Sequence, residues 1–109
     1  MSTTISELGR GLDISLAAFQ EGVNNPAATI GDLLILKRTL GLFKNRVLGA
    51  YAERVRQEYP RAADVPLEVK NRVGRCFLAL TRDLPDAIHA RIRAKVVTWL
   101  EAEAKRAQA

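Results

Sequence analysis

The chain has one cysteine and one histidine in 109 residues, and these scarcities remove several possibilities at once. Cys76 alone forms no intrachain disulfide, and one Cys with one His falls short of a structural zinc site. There is no His-x-x-x-His pair, no Cys-x-x-Cys pair and no Glu-x-x-His motif of the di-iron bundles. No metal and no cofactor is therefore expected. Aromatic residues make up only 6% of the chain. Phe43, Phe77 and Trp99 fall on expected core stripes, which leaves no platform for stacking bases. Long apolar runs are also missing. Runs such as Leu33 to Leu36 are far below the roughly 20 residues of a membrane span. The opening MSTTISELGR has no basic leader followed by an apolar stretch, so it does not read as a signal peptide. The expectation is a soluble, cytoplasmic protein without membrane contact.

Catalytic motifs are equally scarce. Gly9-Arg10-Gly11 lacks the preceding strand and the Gly-Lys-Ser/Thr ending of a phosphate loop. No serine sits in a nucleophile elbow. From motifs the chain reads as a non-enzyme, with no catalytic residue and no small-molecule substrate.

What the chain does have is apolar periodicity. Hydrophobic residues are 48% of the sequence, enough for a packed core and too many for a disordered chain. Leu33, Leu36, Leu40, Phe43, Val47 and Ala50 recur at steps of three and four, one stripe of an α-helix. Leu34, Ile35 and Leu42 lie off that stripe, so the first half of this helix is apolar nearly all round. Such a helix must be covered on more than one side. Three further segments carry single stripes. Residues 5–23 place Ile5, Leu8, Leu12, Leu16, Phe19 and Val23 together behind a Thr4–Glu7 capping box. Gly9 and Gly11 weaken the first turns of that helix. Residues 65–83 align Val69, Val73, Cys76, Phe77, Leu80 and Leu84, with Asp64 as cap and Pro66 in the first turn. Residues 84–105 align Ile88, Ile92, Val96 and Trp99, with Asp83 as cap and Pro85 in the first turn.

Asn24-Asn25-Pro26 and Tyr59-Pro60 punctuate the chain, and Thr29 with Asp32 gives a second cap for a helix over 29–58. Gly41 and Gly49 are candidate kinks or close-approach points. The tail from Ala102 to Ala109 is polar and reads as a fraying helical end. Four helical patterns with short connections and no strand predict an all-α, single-domain antiparallel four-helix bundle or close variant over residues 1–109. Its second helix is long and central. Cys76, on the core face, reads as a buried small hydrophobe.

The net charge of +5 is unevenly spread. Residues 1–36 carry −3, residues 37–95 carry +8, and residues 96–109 balance. A basic middle attracts nucleic acid, anionic lipid or an acidic protein. Candidate contact residues are Lys37, Arg38, Lys44 and Arg46 on the second helix, with Arg72, Arg75, Arg82, Arg91 and Arg93 on the third and fourth. Phosphate contacts through such a face would give salt-sensitive affinity. Glu68, four residues before Arg72, pairs off part of that charge. The apolar residues off the stripes point elsewhere. Leu34, Ile35, Leu42 and Leu78, with Val97 and Leu100 on the fourth helix, exceed what one small bundle covers and predict a homo-oligomer or protein-partner interface. The leading expectation is a small protein-interaction module that self-associates through the second helix, working as an adaptor, assembly factor or inhibitor. Nucleic-acid binding through the basic face is the alternative.

Arg82 is followed by six residues and then His89. This spacing resembles the Arg-x(4–6)-His signature of the HEPN ribonucleases, which are also helical bundles. The resemblance covers eight residues and implies that Arg82 and His89 meet at a dimer cleft and cleave RNA. There His89 would serve as general acid–base and Arg82 would stabilise the phosphorane charge. Asp83 would be the polar residue that often follows that arginine. Read from its own helix, His89 instead flanks the core stripe beside Arg93.

Overall fold

The computed structural model describes residues 4–108, and every described element is helical. Helix α1 (Ile5–Asn24) starts at the expected capping box. The Glu7 amide donates to Thr4 Oγ1 at 3.1 Å, and the Thr4 amide donates to Glu7 Oε2 at 3.3 Å. Thr29 and Asp32 repeat the device ahead of α2 (Ile30–Phe43). The Thr29 amide and hydroxyl hold the Asp32 carboxyl below the ordinary carboxylate range. A π-helical turn (Lys44–Leu48) joins α2 to α3 (Gly49–Glu58) without a break.

Beyond a 3₁₀ turn (Ala62–Asp64), α4 (Leu67–Leu78) begins after Pro66, which takes the cap position with no side-chain cap bond. Asp64 ends the 3₁₀ turn and does not cap α4, contrary to expectation. A second π turn (Ala79–Asp83) runs directly into α5 (Leu84–Gln108). Ala109, the last residue of the expected polar tail, lies outside the described residues.

The largest departure from the sequence reading is at Asp83–Asp86. A stop and restart was expected there, and the chain instead continues as one rod over 67–108. Pro85 has no N–H, and its ring crowds the carbonyl four residues back. The wider π turn just before it opens the backbone, with the Leu84 amide bonding Ala79 O, five residues back. Leu84 itself stays helical at φ −72° and ψ −45°. The described residues thus form three helical rods, over 5–24, 30–58 and 67–108, and the expected fourth helix is the continuation of the third.

Each π turn inserts one residue and rotates everything after it. On the second rod the buried positions are Leu33, Leu40, Leu48, Tyr51 and Val55. Val47 and Ala50, placed on the stripe by straight 3.6-residue periodicity, are exposed instead. On the third rod Val69, Cys76 and Leu80 are followed inward by Leu84 and Ile88. A straight helix would have turned Asp83 and Ala87 to the core. With Leu12, Leu16, Phe19 and Val23 of α1, these residues make one continuous core that holds no buried charged residue among those described. Phe19 and Phe43 meet edge to face with ring centroids 5.3 Å apart.

The molecule is long and thin, measuring 68 × 27 × 17 Å. Its radius of gyration of 18.6 Å far exceeds the roughly 13 Å of a compact chain this size. The cause is unequal rod length. At 1.5 Å per residue the 67–108 rod spans ~63 Å against ~44 Å for the 30–58 rod. The C-terminal end of α5 therefore overhangs the body.

Candidate docking surfaces

On α2, Leu33 and Leu40 point into the core, and the opposite side is bare. Leu34, Ile35 and Leu42 are 52%, 67% and 50% exposed. Gly41 lies among them, and a Cβ placed there meets nothing within 4 Å. The same holds at Gly49, so neither glycine is a close-approach point within the chain, and neither interrupts the rod. Leu78, the fourth expected interface residue, is exposed on α4, away from the α2 group. The structure brings Leu34, Ile35 and Leu42 together and leaves Leu78 apart.

The basic residues divide into two sets. Lys37, Arg38 and Arg46 are exposed, Lys44 is half-buried, and none of the four makes an ion pair among the described residues. No acidic residue occurs between Asp32 and Glu53. This stretch is an uncompensated cationic margin beside the exposed leucines.

The second set is largely occupied within the chain. Arg72 is turned inward, its side chain only 15% exposed, and its Nη2 lies 3.4 Å from Asp13 Oδ2. The neighbouring Tyr51 hydroxyl, and then Asp13, hold its guanidinium more firmly protonated than usual. Arg75 shares Asp13 at 3.6 Å. The partner of Arg72 is therefore Asp13 on α1 and not Glu68 one turn away. Arg82 pairs with Asp83 at 2.8 Å. Arg91 Nη1 donates to the carbonyls of Val23 and Asn25, closing the C-terminal end of α1. Only Arg93 of this set is exposed and without an ion pair among the described residues. The arginines expected as one face on the third and fourth helices work mainly as internal ties.

Arg82 and His89 sit about two turns apart on the 67–108 rod, both exposed. Arg82 is engaged by Asp83 at 2.8 Å. No group of three or more metal-ligating side chains occurs among them. None of the described helices is long and apolar enough to cross a membrane.

Two further apolar surfaces were read only in part or not at all, Val97 and Leu100 having stood off the stripe of the fourth helix and being exposed here. Phe77, Val96 and Trp99 were expected inside, yet all are exposed, Trp99 at 59%. The stripe through Ile88 and Ile92 simply runs past the ends of the neighbouring rods. The second surface is a groove of about 550 Å³ between α3 and α4. Tyr59, Pro60, Val65, Val69 and Val73 line it, with exposed Arg56 and Lys70 on its edge. No family model, curated protein or solved structure matches this chain.

Proposed function

We propose that the chain is a non-enzymatic protein-interaction module, an adaptor, assembly factor or inhibitor, whose docking face is the outer side of α2. One observation carries this reading: Leu34, Ile35 and Leu42 are each at least half exposed on one side of a helix whose other side buries Leu33 and Leu40. Contiguous exposed apolar side chains at helical spacing commonly mark an interface. The charge around them selects the partner. Lys37, Arg38 and Arg46 are unpaired and exposed, so a second α2 face laid on the first would bring like charges together. A partner with acidic residues around an apolar strip fits better, the leucines anchoring and the cations speeding encounter. A cytoplasmic site of action belongs to the same proposal.

The same unpaired cations favour a second reading, contact with nucleic-acid phosphates, and one experiment separates the two. Leu42→Asp and Lys37→Glu/Arg38→Glu variants are compared with the parent chain for capture of cellular partners, with and without nuclease. The protein reading expects Leu42→Asp to lose the partner at unchanged helicity, and nuclease to have no effect. Capture that survives Leu42→Asp but disappears with nuclease would replace it with the phosphate reading. Global unfolding of Leu42→Asp would place that side chain in the core and remove the docking face.

A further inference from the structure

We propose that two copies of this chain pair antiparallel along their 67–108 rods, each seating its C-terminal arm in the α3–α4 groove of the other. The arm is the overhanging end of α5, where Val96, Trp99 and Leu100 are exposed. The groove is the unfilled apolar surface at the opposite end of the same rod. Arm and groove share one edge of that rod. Val73 and Phe77 are one turn apart, and Val96 and Leu100 are one turn apart. The residue gained in the π turn at Ala79–Asp83 brings both pairs into phase. Phe77, at 53% exposure, is the link between groove and seam.

Spacing fixes the register. Phe77 with Val96, Val73 with Leu100, and Lys70 with Glu103 are each symmetric about the peptide joining Asp86 to Ala87. A twofold axis crossing the rod there superposes all three pairs at once, and the contact closes on two copies. Charge agrees with this register. Lys70, on the groove edge, has no ion-pair partner among the described residues. On the arm Glu101 also has none, and Glu103 pairs only with exposed Arg106, one turn on. Opposite signs therefore meet at both ends of the seam.

Size agrees as well. At 1.5 Å per residue the seam from Lys70 to Glu103 runs ~50 Å along each rod, and a strip of that length on a helix ~10 Å across covers on the order of 500–600 Å² per copy. The two copies together come to the lower edge of about 1,200–2,000 Å² for stable interfaces. The α2 face of the proposed partner site lies outside this seam, so the pairing does not depend on that reading.

Trp99 is the only tryptophan, which supplies a direct readout. Light scattering and tryptophan emission are recorded across protein concentration for the full chain, for Lys70→Glu, for Glu103→Lys and for the double swap. The expected results are a dimer whose formation shifts emission to the blue, and a dissociation constant raised about tenfold or more by either single reversal. The double swap restores dimerisation and the blue shift, which neither misfolding nor general charge change would do. Leu42→Asp leaves this dimer intact. A monomer at every concentration would overturn the pairing. A dimer whose tryptophan emission stays red, or one that the single reversals leave unchanged, would overturn it equally.

Discussion

Glycine 9 and glycine 41 are both helical, and their surroundings set opposite consequences for the same substitution. A Cβ at Gly9 would lie 2.4 Å from Arg72 Nη1, so the guanidinium that pairs with Asp13 must shift to make room. Gly9→Ala gains helix propensity of ~1 kcal/mol but displaces a side chain packed over the core. A net loss of about 1 kcal/mol is expected. Gly41→Ala meets open space and should gain ~0.5–1 kcal/mol. Chemical denaturation of the two variants checks the contrast, and equal effects would mean that Arg72 is not held in place. Cys76 gives a second prediction. It is fully buried, and desolvation pushes its thiol above the ordinary range. A disulfide reagent should leave the native chain untouched and titrate one thiol after unfolding. Because the folded-state value is raised, this group supports the fold below the unfolded thiol pKa of about 8.5. Its contribution is lost as pH rises toward the folded-state value. The fate of Cys76 was legible in the sequence because it depends on local helical phase. That of Arg72 was not, because Asp13 lies 59 positions away.

At the scale of elements, the two boxed helix starts were readable, while the stop at Asp83 and the register were not. Both Thr-x-x-acid boxes form as their sequences imply, since capping is a contact between residues three apart. The two π turns have no comparable local signature. At Pro85 the proline was visible, but proline ends or kinks a helix more often than it widens one turn. At Lys44–Leu48 even that signal is absent. Straight periodicity therefore put Val47 and Ala50 inside, where Leu48 and Tyr51 belong. If the inserted residue is what sets the phase, deletions should depend sharply on position. Removing Asn45 from the π turn restores an unbroken α-helix and keeps Leu48, Tyr51 and Val55 facing the core. Removing Thr39, outside the turn, rotates all that follows by about 100°. The Asn45 deletion should retain a cooperative thermal transition and the Thr39 deletion should lose it, as followed by circular dichroism. Equal tolerance of both would show that the π turn has no register role.

The whole molecule is governed by mismatched lengths, a property no single segment reveals. The four-helix expectation folded the chain back at Asp83. The continuous rod instead carries the apolar stripe beyond the body, which explains both the large radius of gyration and the exposed Trp99. The α2 candidates Leu34, Ile35 and Leu42 were legible because they sit off a stripe whose early phase is regular. On the arm Val97 and Leu100 were legible in the same way, whereas Val96 and Trp99 were not, because their exposure follows from where other helices stop. The arm's stability should differ accordingly. Near its root the arm adjoins Thr29 and Ile30 of the neighbouring rod, and beyond Ala102 it has no such neighbour. An isolated helical end of about a dozen residues is marginal in water. In dilute solution its amides should exchange hydrogen fastest in the rod, while those around Leu12–Val23 and Ile88 approach the limit of global unfolding. Raising the concentration should slow exchange in two places together, residues 96–103 and the groove face of α4 around Lys70–Val73, because one contact covers both. Mass-spectrometric exchange at two concentrations reads this directly. Protection gained by the arm alone would mean arm-to-arm pairing, with the α3–α4 groove left open for something other than a second copy.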